Sequence, residues 1–550
     1  MRLSHSFAAY LCITTGALAR DFCTASQKCW PSHQVWSGFN ASVGGRLVAP
    51  RPPAWPCHDP NYDEAACQIV QANWNNSFWR ANQTGAMQDP IWESPGCGIS
   101  TPRNVSCEQG FVPTYAIEAE SPQDVSRAVK FAGKHRLRLV VKNTGHDYAE
   151  GSFSIWTHRL KGMNFTDSFV PVGCSKNARG VSAVTLGAAE QWRDVYQAAD
   201  QRNLTIVGGA ANSVGAAGGW VQGGGHSPLG SLYGMGVDNV LQYVVVKADG
   251  AIVTANSCQN KDLFWALRGG GGGTWGVTLD VTYKTHPALD QIVGMGITMN
   301  FTSPEKFTSM AENFLESFPD MSDQGIRGYA VWIARITFSI VVFHPNSPSV
   351  EHTNRTLAPI WDWLENNTDT QAFSFGNVHP TFFDMFKFWI ATDVSIGMPT
   401  WIGSRLVSRK AMKSRPKDLA KLVLTDGRYI APSMLLVGGG AVSKADPDST
   451  SLNPRWRDDA LISWNFGNNW EENTPIETID NIKRMTTNFT QALGELAGLD
   501  HAGYFNEADP QEPRWKKAFF GQHYDRLLKI KNKVDPTGLF TCNRCVGYES

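Results

Sequence analysis

The residues best suited to chemistry lie together in the stretch 139–152. Three β-favouring residues, 139–141, lead into the turn residues 143–145, a pattern typical of a buried strand that ends in a tight turn. Glycine at 145 lets the backbone approach a ligand closely, and successive turn amides can form a nest for an anion. His146 follows directly, and Ser152 adds a hydroxyl. The stretch predicts a cradle for a phosphate-bearing cofactor beside an imidazole that could hold it covalently; a plain surface loop is the alternative.

A glycine-rich tract, residues 208–225, is the second candidate, and it ends just before His226. So many glycines weaken helices and strands. They suit a backbone that must pack against a flat ligand. Trp220 and Val221 interrupt the tract, and strong strand patterns lie on both sides of it. We therefore favour a segment that contacts a ligand over a flexible linker.

These residues need elements to position them, and the flanking pattern predicts two β–α–β units. A strand at 115–118 is followed by Ser121 as an N-cap, by Pro122 in the first turn and by an amphipathic helix to about residue 135. The strand before His146 completes this unit. Mixed α+β layers of this kind usually bind ligands at the loops between units. The second unit and the other predicted elements are a strand at 183–186, a helix at 191–201, a strand at 205–207, a hairpin of 240–247 with 251–255, a short helix at 261–267, a strand at 277–285 and helices at 478–496 and 523–533.

Composition places the chain among globular, exported proteins. Its 550 residues are 42% hydrophobic and 18% charged, with a formal net charge of −1, so the chain is long enough for two or more domains. The near-neutral charge, with no basic run, argues against nucleic acid or a membrane as a partner. Arg2, a short apolar run and the small-residue site 17–19 predict a signal peptide over residues 1–19, which is too short to span a bilayer.

Cysteine usage agrees with export, because ten of the 11 Cys lie beyond the signal peptide and an even number favours disulfides. Cys57 with Cys67, and Cys97 with Cys107, are the expected local bridges. The pair at 542 and 545 has metal-ligand spacing, but no second pair completes a zinc site, so we predict no metal. Asn-X-Ser/Thr sequons predict a secreted glycoprotein; they begin at Asn40, Asn75, Asn82, Asn104, Asn164, Asn203, Asn300, Asn354, Asn366 and Asn488.

Five motifs, in this order along the chain, carry a resemblance to a known family. They are Val141-Lys142-Asn143-Thr144-Gly145-His146-Asp147-Tyr148, Gly223-Gly224-Gly225-His226-Ser227-Pro228-Leu229, Tyr233-Gly234-Met235-Gly236-Val237-Asp238-Asn239-Val240, Asp262-Leu263-Phe264-Trp265-Ala266-Leu267-Arg268-Gly269-Gly270-Gly271-Gly272 and Tyr504-Phe505-Asn506-Glu507-Ala508-Asp509. Together they resemble the FAD-linked oxidoreductases of the vanillyl-alcohol-oxidase superfamily. Within it the chain is similar to the berberine-bridge-enzyme-like branch, in the secreted fungal form that includes isoamyl alcohol oxidases.

The resemblance implies an α+β fold in two main parts. A two-subdomain PCMH-type FAD-binding domain would occupy residues 109–288. An α+β substrate domain with an antiparallel sheet would occupy 289–500. A Cys-rich N-terminal arm at 20–108 would precede them, and a berberine-bridge-enzyme-like segment at 501–550 would return to the FAD-binding domain.

The same resemblance assigns residues to FAD. His146 would carry the flavin covalently, and the backbone of 143–147, with Ser152, would hold the pyrophosphate. Many relatives add a second bond through a Cys just before the glycine-rich tract, but residues 212–214 here are Asn-Ser-Val, so attachment through His146 only is expected. The expected cofactor-binding residues are Asn143, Thr144, Gly145, His146, Asp147, Ser152, Gly223, Gly224, Gly225, His226, Ser227, Gly236, Asp238 and Asn239; the expected catalytic residues are Tyr504 and Asn506.

The implied reaction is removal of a proton by a base and of a hydride to flavin N5, usually from a carbon that bears a hydroxyl group. Oxygen would then reoxidise the flavin and give hydrogen peroxide. Tyr504 is either the base or polariser, or a phenol that only hydrogen-bonds in the core. Glu507 and Asp509 either act through charge or pair with the following helix, and His226 either faces the ring or caps the next turn.

The expected partners are a small-molecule substrate and O2, with the protein a monomer. Two further functions stay open at this point. One is a flavin-dependent dehydrogenase or an oxidative cyclase of a secondary-metabolite pathway. The other is a secreted flavin-binding module without turnover.

Overall fold

The structure is a computed structural model that describes residues 22–93, 96–146, 152–175, 177–390, 393, 396–425 and 430–548. The predicted signal peptide and Asp147 lie outside these residues. Within them, no helix combines the length and the apolar character that crossing a membrane requires.

The N-terminal arm is a chain of short helices joined by disulfides, and it also adds a strand to the first sheet. Both predicted bridges, Cys57–Cys67 and Cys97–Cys107, are confirmed, and a third links Cys23 to Cys29. The arm is anchored internally by the buried ion pair of Arg80 with Glu93. Its elements are α1 (His33–Ser42), β1 (Leu47–Val48), α2 (Glu64–Asn73) and α3 (Ser77–Ala81).

The first sheet confirms the predicted β–α–β unit. Its elements are β2 (Tyr115–Glu118), α4 (Pro122–His135), β3 (Leu139–Lys142) and β4 (Phe153–Trp156), in the sheet order β1-β2-β4-β3. The strands β2 and β3 both pair with β4 in parallel, and the arm strand β1 pairs with β2 in antiparallel fashion. The predicted N-cap is present, because Ser121 Oγ accepts a hydrogen bond from the Asp124 amide. The apolar side of α4 then packs on the sheet.

The second sheet is antiparallel, with the order β5-β6-β10-β8-β9. The predicted hairpin is confirmed as β8 with β9. A fourth disulfide, Cys174–Cys258, closes one end of the sheet across 84 residues of sequence. The elements of this region are β5 (Met163–Phe169), β6 (Val181–Gly187), α5 (Trp192–Asp200), β7 (Leu204–Thr205), α6 (Gly219–Gln222), α7 (Gly230–Tyr233), β8 (Val240–Val246), β9 (Ile252–Asn256), α8 (Lys261–Ala266), β10 (Val277–Lys284) and β11 (His286–Pro287).

The predicted second β–α–β unit is wrong. Both edges of β6 are already taken, by β5 on one side and β10 on the other. The strand after α5 therefore cannot return to the same sheet, and β7 pairs instead with β11 in a separate two-stranded ribbon. The predicted strand at 205–207 is reduced to Leu204–Thr205 for the same reason.

A seven-stranded antiparallel sheet forms the third layer, in the order β15-β12-β14-β13-β17-β18-β16. The long helices α9 and α16 contribute to the core cluster on one of its faces. Its elements are β12 (Ile292–Asn300), α9 (Pro304–Asp323), β13 (Arg327–Ile333), β14 (Thr337–Pro345), α10 (Val350–Thr356), α11 (Ala358–Glu365), β15 (Gln371–His379), α12 (Phe382–Trp389), β16 (Thr400–Ser408), α13 (Arg409–Ser414), α14 (Pro416–Ala420), β17 (Ala431–Leu436), α15 (Ala441–Lys444), β18 (Ala460–Asn469) and α16 (Ile476–Leu496).

The C-terminal segment runs back over the first two sheets and contains the helix α17 (Tyr524–Val534). Lys531 Nζ donates to the Thr274 carbonyl oxygen at 2.7 Å, and Leu539 and Phe540 belong to the core around α4. The pair with metal-ligand spacing, Cys542 and Cys545, is a fifth disulfide. In the described part of the chain no group of three His, Cys, Asp or Glu is arranged to hold a metal ion.

Candidate active site

The turn after β3 is tight, and both its backbone conformation and its packing require glycine at position 145. Gly145 has φ of 87°, a region that favours glycine. A Cβ atom there would lie 3.2 Å from the Met87 Cα atom, so a larger residue would press on the N-terminal arm. Thr144 and Gly145 are both buried in this turn.

The arm fixes the orientation of the turn peptides through Gln88. The Gln88 amide donates to the Gly145 carbonyl oxygen at 2.8 Å, and Gln88 Nε2 donates to the Thr144 carbonyl oxygen at 2.9 Å. Both carbonyl groups point toward the arm, so the N–H groups of the same two peptide bonds point away from it. Sequence reasoning missed this role of the arm, because Gln88 lies in a region without periodicity.

His146 is exposed and is held by the start of the glycine-rich tract. Its Nε2 atom is 2.8 Å from Ser213 Oγ, and the Ser213 amide donates to Asp393 Oδ2 at 3.2 Å. Water reaches the imidazole, while the protein around it removes part of its hydration and lowers its pKa below the usual value. The Asp393 carboxylate acts in the opposite direction. A neutral imidazole has a free lone pair, as a nucleophile requires.

Asn143 connects the turn to the same tract. Its Nδ2 atom donates to the Ala188 carbonyl oxygen, and its side chain packs so closely on Gly215 that a Cβ atom there would lie 2.6 Å from Nδ2. Asn143 Oδ1 is buried and has no hydrogen-bond partner among the described residues. A buried acceptor of this kind fits a polar group of a bound ligand.

Ser152 lies at the start of β4, and its hydroxyl is engaged by the backbone. It donates to the Cys23 carbonyl oxygen at 3.0 Å, with the Arg138 carbonyl oxygen at 3.3 Å. The structure thus gives Ser152 a role in joining the arm to the first sheet. Its expected contact with a pyrophosphate stays a prediction, as does that of Asp147, which is outside the described residues.

The glycine-rich tract is packed by aromatic and C-terminal residues, which excludes a loose linker. A Cβ atom at Gly223 would lie 2.0 Å from Asn506 Oδ1, and one at Gly225 would lie 2.9 Å from the Trp220 ring. Gly224 and Gly225 have φ of 127° and 71°. The tract therefore needs its glycines where it meets Trp220 and the segment that begins at Tyr504.

Gly236 and its neighbours lie beside the end of the tract. The Gly236 amide donates to the Gly225 carbonyl oxygen at 2.7 Å. The side chains of the other expected cofactor residues here are engaged by the protein. Ser227 Oγ accepts from the Leu229 amide, Asp238 pairs with Arg457 at 2.7 Å, and Asn239 bridges two backbone carbonyl groups and His286. Any cofactor contact in this segment would therefore come from its backbone.

Tyr504 and Asn506 meet the end of the glycine-rich tract directly. The Tyr504 hydroxyl oxygen accepts hydrogen bonds from the Gly225 amide at 3.2 Å and from Asn506 Nδ2 at 2.6 Å. Asn506 Nδ2 also donates to the Trp220 carbonyl oxygen. Burial raises the pKa of Tyr504 above its usual value, and nearby Glu507 adds to this, whereas the hydrogen bonds oppose it. The phenol is therefore neutral near pH 7, with two donors aimed at its oxygen.

Glu507 forms a second polar cluster next to Tyr504. Its Oε1 atom is 3.0 Å from His226 Nε2, and its Oε2 atom accepts from Asn465 Nδ2 at 2.8 Å. Among the described residues Glu507 is thus engaged by His226 and Asn465, and Asp509 accepts a hydrogen bond from Thr487 of α16, which precedes this segment. The predicted pairing with the following helix is not seen for either residue in the described part of the chain. His226 Nδ1 is buried and has no partner in the described part of the chain. The ring faces Glu507 and Tyr504, with the His226 and Tyr504 ring centroids 5.1 Å apart.

Tyr329 and Asn465 are site residues that sequence reasoning missed. Both lie on strands of the seven-stranded sheet, in β13 and β18, and carry no local motif. The strand registers put both on one face of the sheet, where Asn465 donates to Glu507, and Tyr329 lies close enough to Glu507 and Tyr504 for them to affect its pKa. A period-two pattern could have placed them on one face of the sheet, but not beside a particular loop.

Two family profiles match the chain at the places where these residues lie. Residues 113–256 match a family described as FAD binding domain, and this range covers the turn at His146 and the glycine-rich tract. Residues 503–547 match a family described as berberine and berberine-like, and this range begins just before Tyr504.

Curated relatives match over almost the full length. A protein of Arthroderma benhamiae named an uncharacterized FAD-linked oxidoreductase is 40% identical over 541 residues, which is 96% of this chain and 94% of the relative. The FAD-linked oxidoreductase apf9 of Gibberella fujikuroi is 34% identical and covers 97% of this chain and 95% of its own.

Solved structures show the same fold. The VAO-type flavoprotein MtVAO713 of Myceliophthora thermophila superposes with a TM-score of 0.89 at 29% identity, covering 96% of this chain and 97% of its own. Berberine bridge enzyme of Eschscholzia californica, at 15% identity, has a TM-score of 0.69 over 93% of this chain and 99% of its own. The α+β fold with antiparallel sheets is therefore confirmed as that of VAO-type flavoproteins.

Proposed function

We propose, since this chain belongs to the family of FAD-linked oxidoreductases, that it is a secreted oxidase that converts an alcohol into a carbonyl compound and reduces O2 to H2O2. The observation that carries the proposal is the Tyr504 phenol, which lies at the glycine-rich tract with two hydrogen-bond donors on its oxygen. FAD, when bound, supplies the hydride acceptor, and the protein supplies orientation and electrostatics.

The residues present fit a bound flavin nucleotide. Asn143 Oδ1 and His226 Nδ1 are buried polar atoms without partners in the described residues, and His146 is exposed. We propose a single covalent bond, through His146. Asn143, Thr144 and Gly145, together with Asp147 and Ser152, would hold the pyrophosphate side. Gly223, Gly224, Gly225, His226 and Ser227, with Gly236, Asp238 and Asn239, would lie along the rest of the cofactor.

Ser213 supports attachment through the imidazole. Its hydroxyl contacts His146 Nε2, so the ring is held in one orientation with Nδ1 directed elsewhere. An imidazole that is already fixed loses less conformational entropy when it bonds to the flavin than a mobile one does. This favours a covalent bond at one defined nitrogen atom.

Tyr504 is proposed as the group that takes the proton of the substrate hydroxyl, while its own phenolic proton moves to the neighbouring pair of Glu507 and His226. The amide of Gly225 and the side chain of Asn506 would stabilise negative charge as it develops on the phenolic oxygen. The pair of Glu507 and His226, with His226 beside the Tyr504 ring, would return the proton after the substrate has been oxidised. This arrangement favours a C–OH group as the reacting centre.

The exported, N-glycosylated state is also proposed. It is supported by the even set of ten Cys beyond the signal sequence, all of which form disulfides. Bridges of this kind persist in oxidising compartments.

A peroxide-coupled screen of alcohols, sugars and phenolics on the purified protein tests the function. The oxidase should show a flavin absorbance band that bleaches without O2, recovers on admission of air and releases one H2O2 per carbonyl formed. Bleaching that recovers only with an added electron acceptor would indicate a dehydrogenase. A product with a new ring bond and no carbonyl would indicate a cyclase. A flavin band that no compound bleaches would indicate a binding module, and no flavin at all would overturn the assignment.

A further inference from the structure

One face of the seven-stranded sheet is partly accessible and packs toward the core around the second sheet, whereas the other is closed by helices. Along β13 and β14, Ala330, Ile340 and Val342 are at most 1% exposed in the core beside α9. The alternate residues Tyr329 and Val341 are partly accessible. Since side chains alternate between faces, these residues share the partly accessible face, which we call the inner face. It is the face that carries Asn465 toward Glu507.

An apolar row crosses the inner face from the sheet edge to Tyr329. In the strand registers, Phe375 pairs with Gly296, Gly296 with Val341, and Val341 with Tyr329. At about 4.8 Å between strands, this row spans roughly 14 Å. On the far side Tyr329 pairs with Leu435, so the row continues toward the cluster at Glu507.

Trp389 fills the one gap in this row. A Cβ atom at Gly294 would lie 2.1 Å from the Trp389 ring, and one at Gly296 would lie 3.0 Å from it. The indole therefore lies flat on the inner face where the two glycines leave room. Its ring centroid is 6.1 Å from that of Phe375 and 5.0 Å from that of Phe388. Phe375 and Phe388 are 48% and 56% exposed, so the outer end of the row is an open aromatic surface.

The next row of the inner face is polar but uncharged. Phe373 pairs with Thr298, Thr298 with Ser339 and Ser339 with Val331, and the row continues through Ser433 to Asn465. The hydroxyl oxygens of Thr298 and Ser339 are 3.1 Å apart. Neither this row nor the apolar row contains an ionisable acid or a cation; Tyr329 is their one titratable group. A charged ligand lying there would lose hydration without gaining a partner.

Tyr329 stands at the inner end of the aromatic part of the apolar row, and its hydroxyl group makes no hydrogen bond within the described part of the chain. Its Oη atom is buried and has no hydrogen-bond partner among the described residues. Burial raises the pKa of Tyr329 above its usual value, and the proximity of Glu507 and Tyr504 adds to this. The phenol is therefore a neutral donor beside the proposed reacting group, and a buried hydroxyl without a partner is costly unless a ligand satisfies it.

We propose that the substrate is an uncharged molecule with a flat apolar body and at least one oxygen atom. The body lies along the row from Phe375 and Trp389 to Val341, and Tyr329 Oη donates a hydrogen bond to its oxygen. This inference rests on the proposed function, because the row leads to Tyr504. Sugars, which are polar on all sides, would pack poorly against the apolar row.

Two matched probes test the charge and shape of the ligand. Naphthylmethanol is flat and uncharged, and its ring-carboxylated analogue differs by one negative charge at pH 7. Each is mixed anaerobically with the purified holoprotein, and the half-saturating concentration is read from how the change in the flavin spectrum, either a band shift or bleaching, depends on probe concentration. We expect the uncharged probe to half-saturate at a concentration at least ~10-fold lower than the carboxylate, and glucose to give no perturbation.

Variants then locate the bound probe. Tyr329→Phe should raise the half-saturating concentration of naphthylmethanol ~2- to 10-fold, the range of one hydrogen bond. Phe375→Ser should raise it by a similar factor through loss of aromatic contact. Phe111→Ser is the matched control, because Phe111 is also an aromatic residue and is 47% exposed, but it lies just before β2 of the first sheet and not on the inner face. It should bind the probe like the wild type.

The possible outcomes distinguish a failure of the proposed substrate class from a failure of the proposed function. Absence of a flavin band would overturn the proposed function itself. With flavin present, equal binding of the carboxylate, no binding of naphthylmethanol, or unchanged binding in both inner-face variants would each overturn the substrate class or its position. A change in the rate of flavin reduction without any change in binding in Tyr329→Phe would likewise remove Tyr329 as an anchor.

Discussion

Tyr504 combines burial with hydrogen bonds that are all directed at its oxygen. A buried phenol that only completed the core would be expected to donate its own hydrogen to a nearby carbonyl group, as Tyr243 does to Leu267 and Tyr196 does to Gly209. Tyr504 instead accepts from Gly225 and Asn506. Its hydrogen is left for a group that the described residues do not supply, which is the situation expected for contact with a substrate.

Tyr504→Phe should lower the limiting rate of flavin reduction roughly 10²- to 10⁴-fold, because general acid–base help of this kind is lost. The ring and its packing are kept, so the flavin content should stay close to that of the wild type. Stopped-flow measurement of flavin reduction by a substrate found in the screen checks this.

Tyr243→Phe serves as the control for loss of a buried phenol. It removes one hydrogen bond, to the Leu267 carbonyl oxygen, and should cost about 0.5–1.5 kcal/mol of stability without slowing reduction. If Tyr504→Phe behaved in the same way, with a reduction rate within a few-fold of wild type, Tyr504 would be a core residue only.

At the scale of single residues, the sequence predicted what lies in local motifs. His146, the glycines at 223–225, Tyr504 and Asn506 are each part of a short run with a recognisable pattern. Tyr329 and Ser213 have no such run, because their neighbours in space come from strand register and from loops more than 60 residues away, as with His146 and Ser213 at a separation of 67. The choice between two roles for Glu507 also needed the structure, which pairs it with His226.

The site is positioned mainly by contacts between segments that are far apart in the sequence. The N-terminal arm orients the turn at His146 through Gln88, and the C-terminal segment brings Tyr504 to the glycine-rich tract. The strand pattern predicted β2, α4 and β3 correctly, since each has its own periodicity and caps. It failed for β7, because whether a strand edge is free depends on β5 and β10, which are distant in sequence.

Disulfides should stabilise these elements more when they close longer loops, because the contribution grows with the logarithm of loop length. Cys174–Cys258 closes 84 residues, whereas Cys57–Cys67 closes ten. On the chain-entropy account, removing the first by Cys174→Ser with Cys258→Ser should cost about 2 kcal/mol more than removing the second by Cys57→Ser with Cys67→Ser. Urea denaturation of both double variants measures the difference. Equal losses, or a larger loss for the short loop, would mean that local packing and not loop closure sets the contribution.

For the molecule as a whole, buried imidazoles link stability to pH. The pKa of His158 is lowered to about 3, and those of His286 and His344 to about 4, in each case chiefly by burial. An unfolded His titrates near 6.5. Between pH ~4 and 6.5 the unfolded chain therefore binds more protons than the folded protein, so stability falls as the pH decreases through this window.

His158→Gln should reduce the loss of stability between pH 7 and pH 5 by up to about 2 kcal/mol. His158 is 4% exposed and hydrogen-bonded to Asn82, so protonation in the folded state is disfavoured. Urea midpoints of the variant and the wild type at both pH values give the difference. The control His33→Gln changes an exposed residue and should leave the loss unaltered. A pH dependence that is the same in His158→Gln and wild type would show that His158 titrates alike in both states.

The central claim is that the whole fold serves to hold FAD at His146 against the site at Tyr504. The most direct test is mass spectrometry of the tryptic peptide 143–159, which contains both His146 and His158. We predict that this peptide carries the mass of one FAD on His146, and that His146→Ala leaves the flavin in the acid supernatant while His158→Gln does not. An unmodified peptide from flavin-containing protein, or flavin that stays on the chain of His146→Ala, would contradict the account.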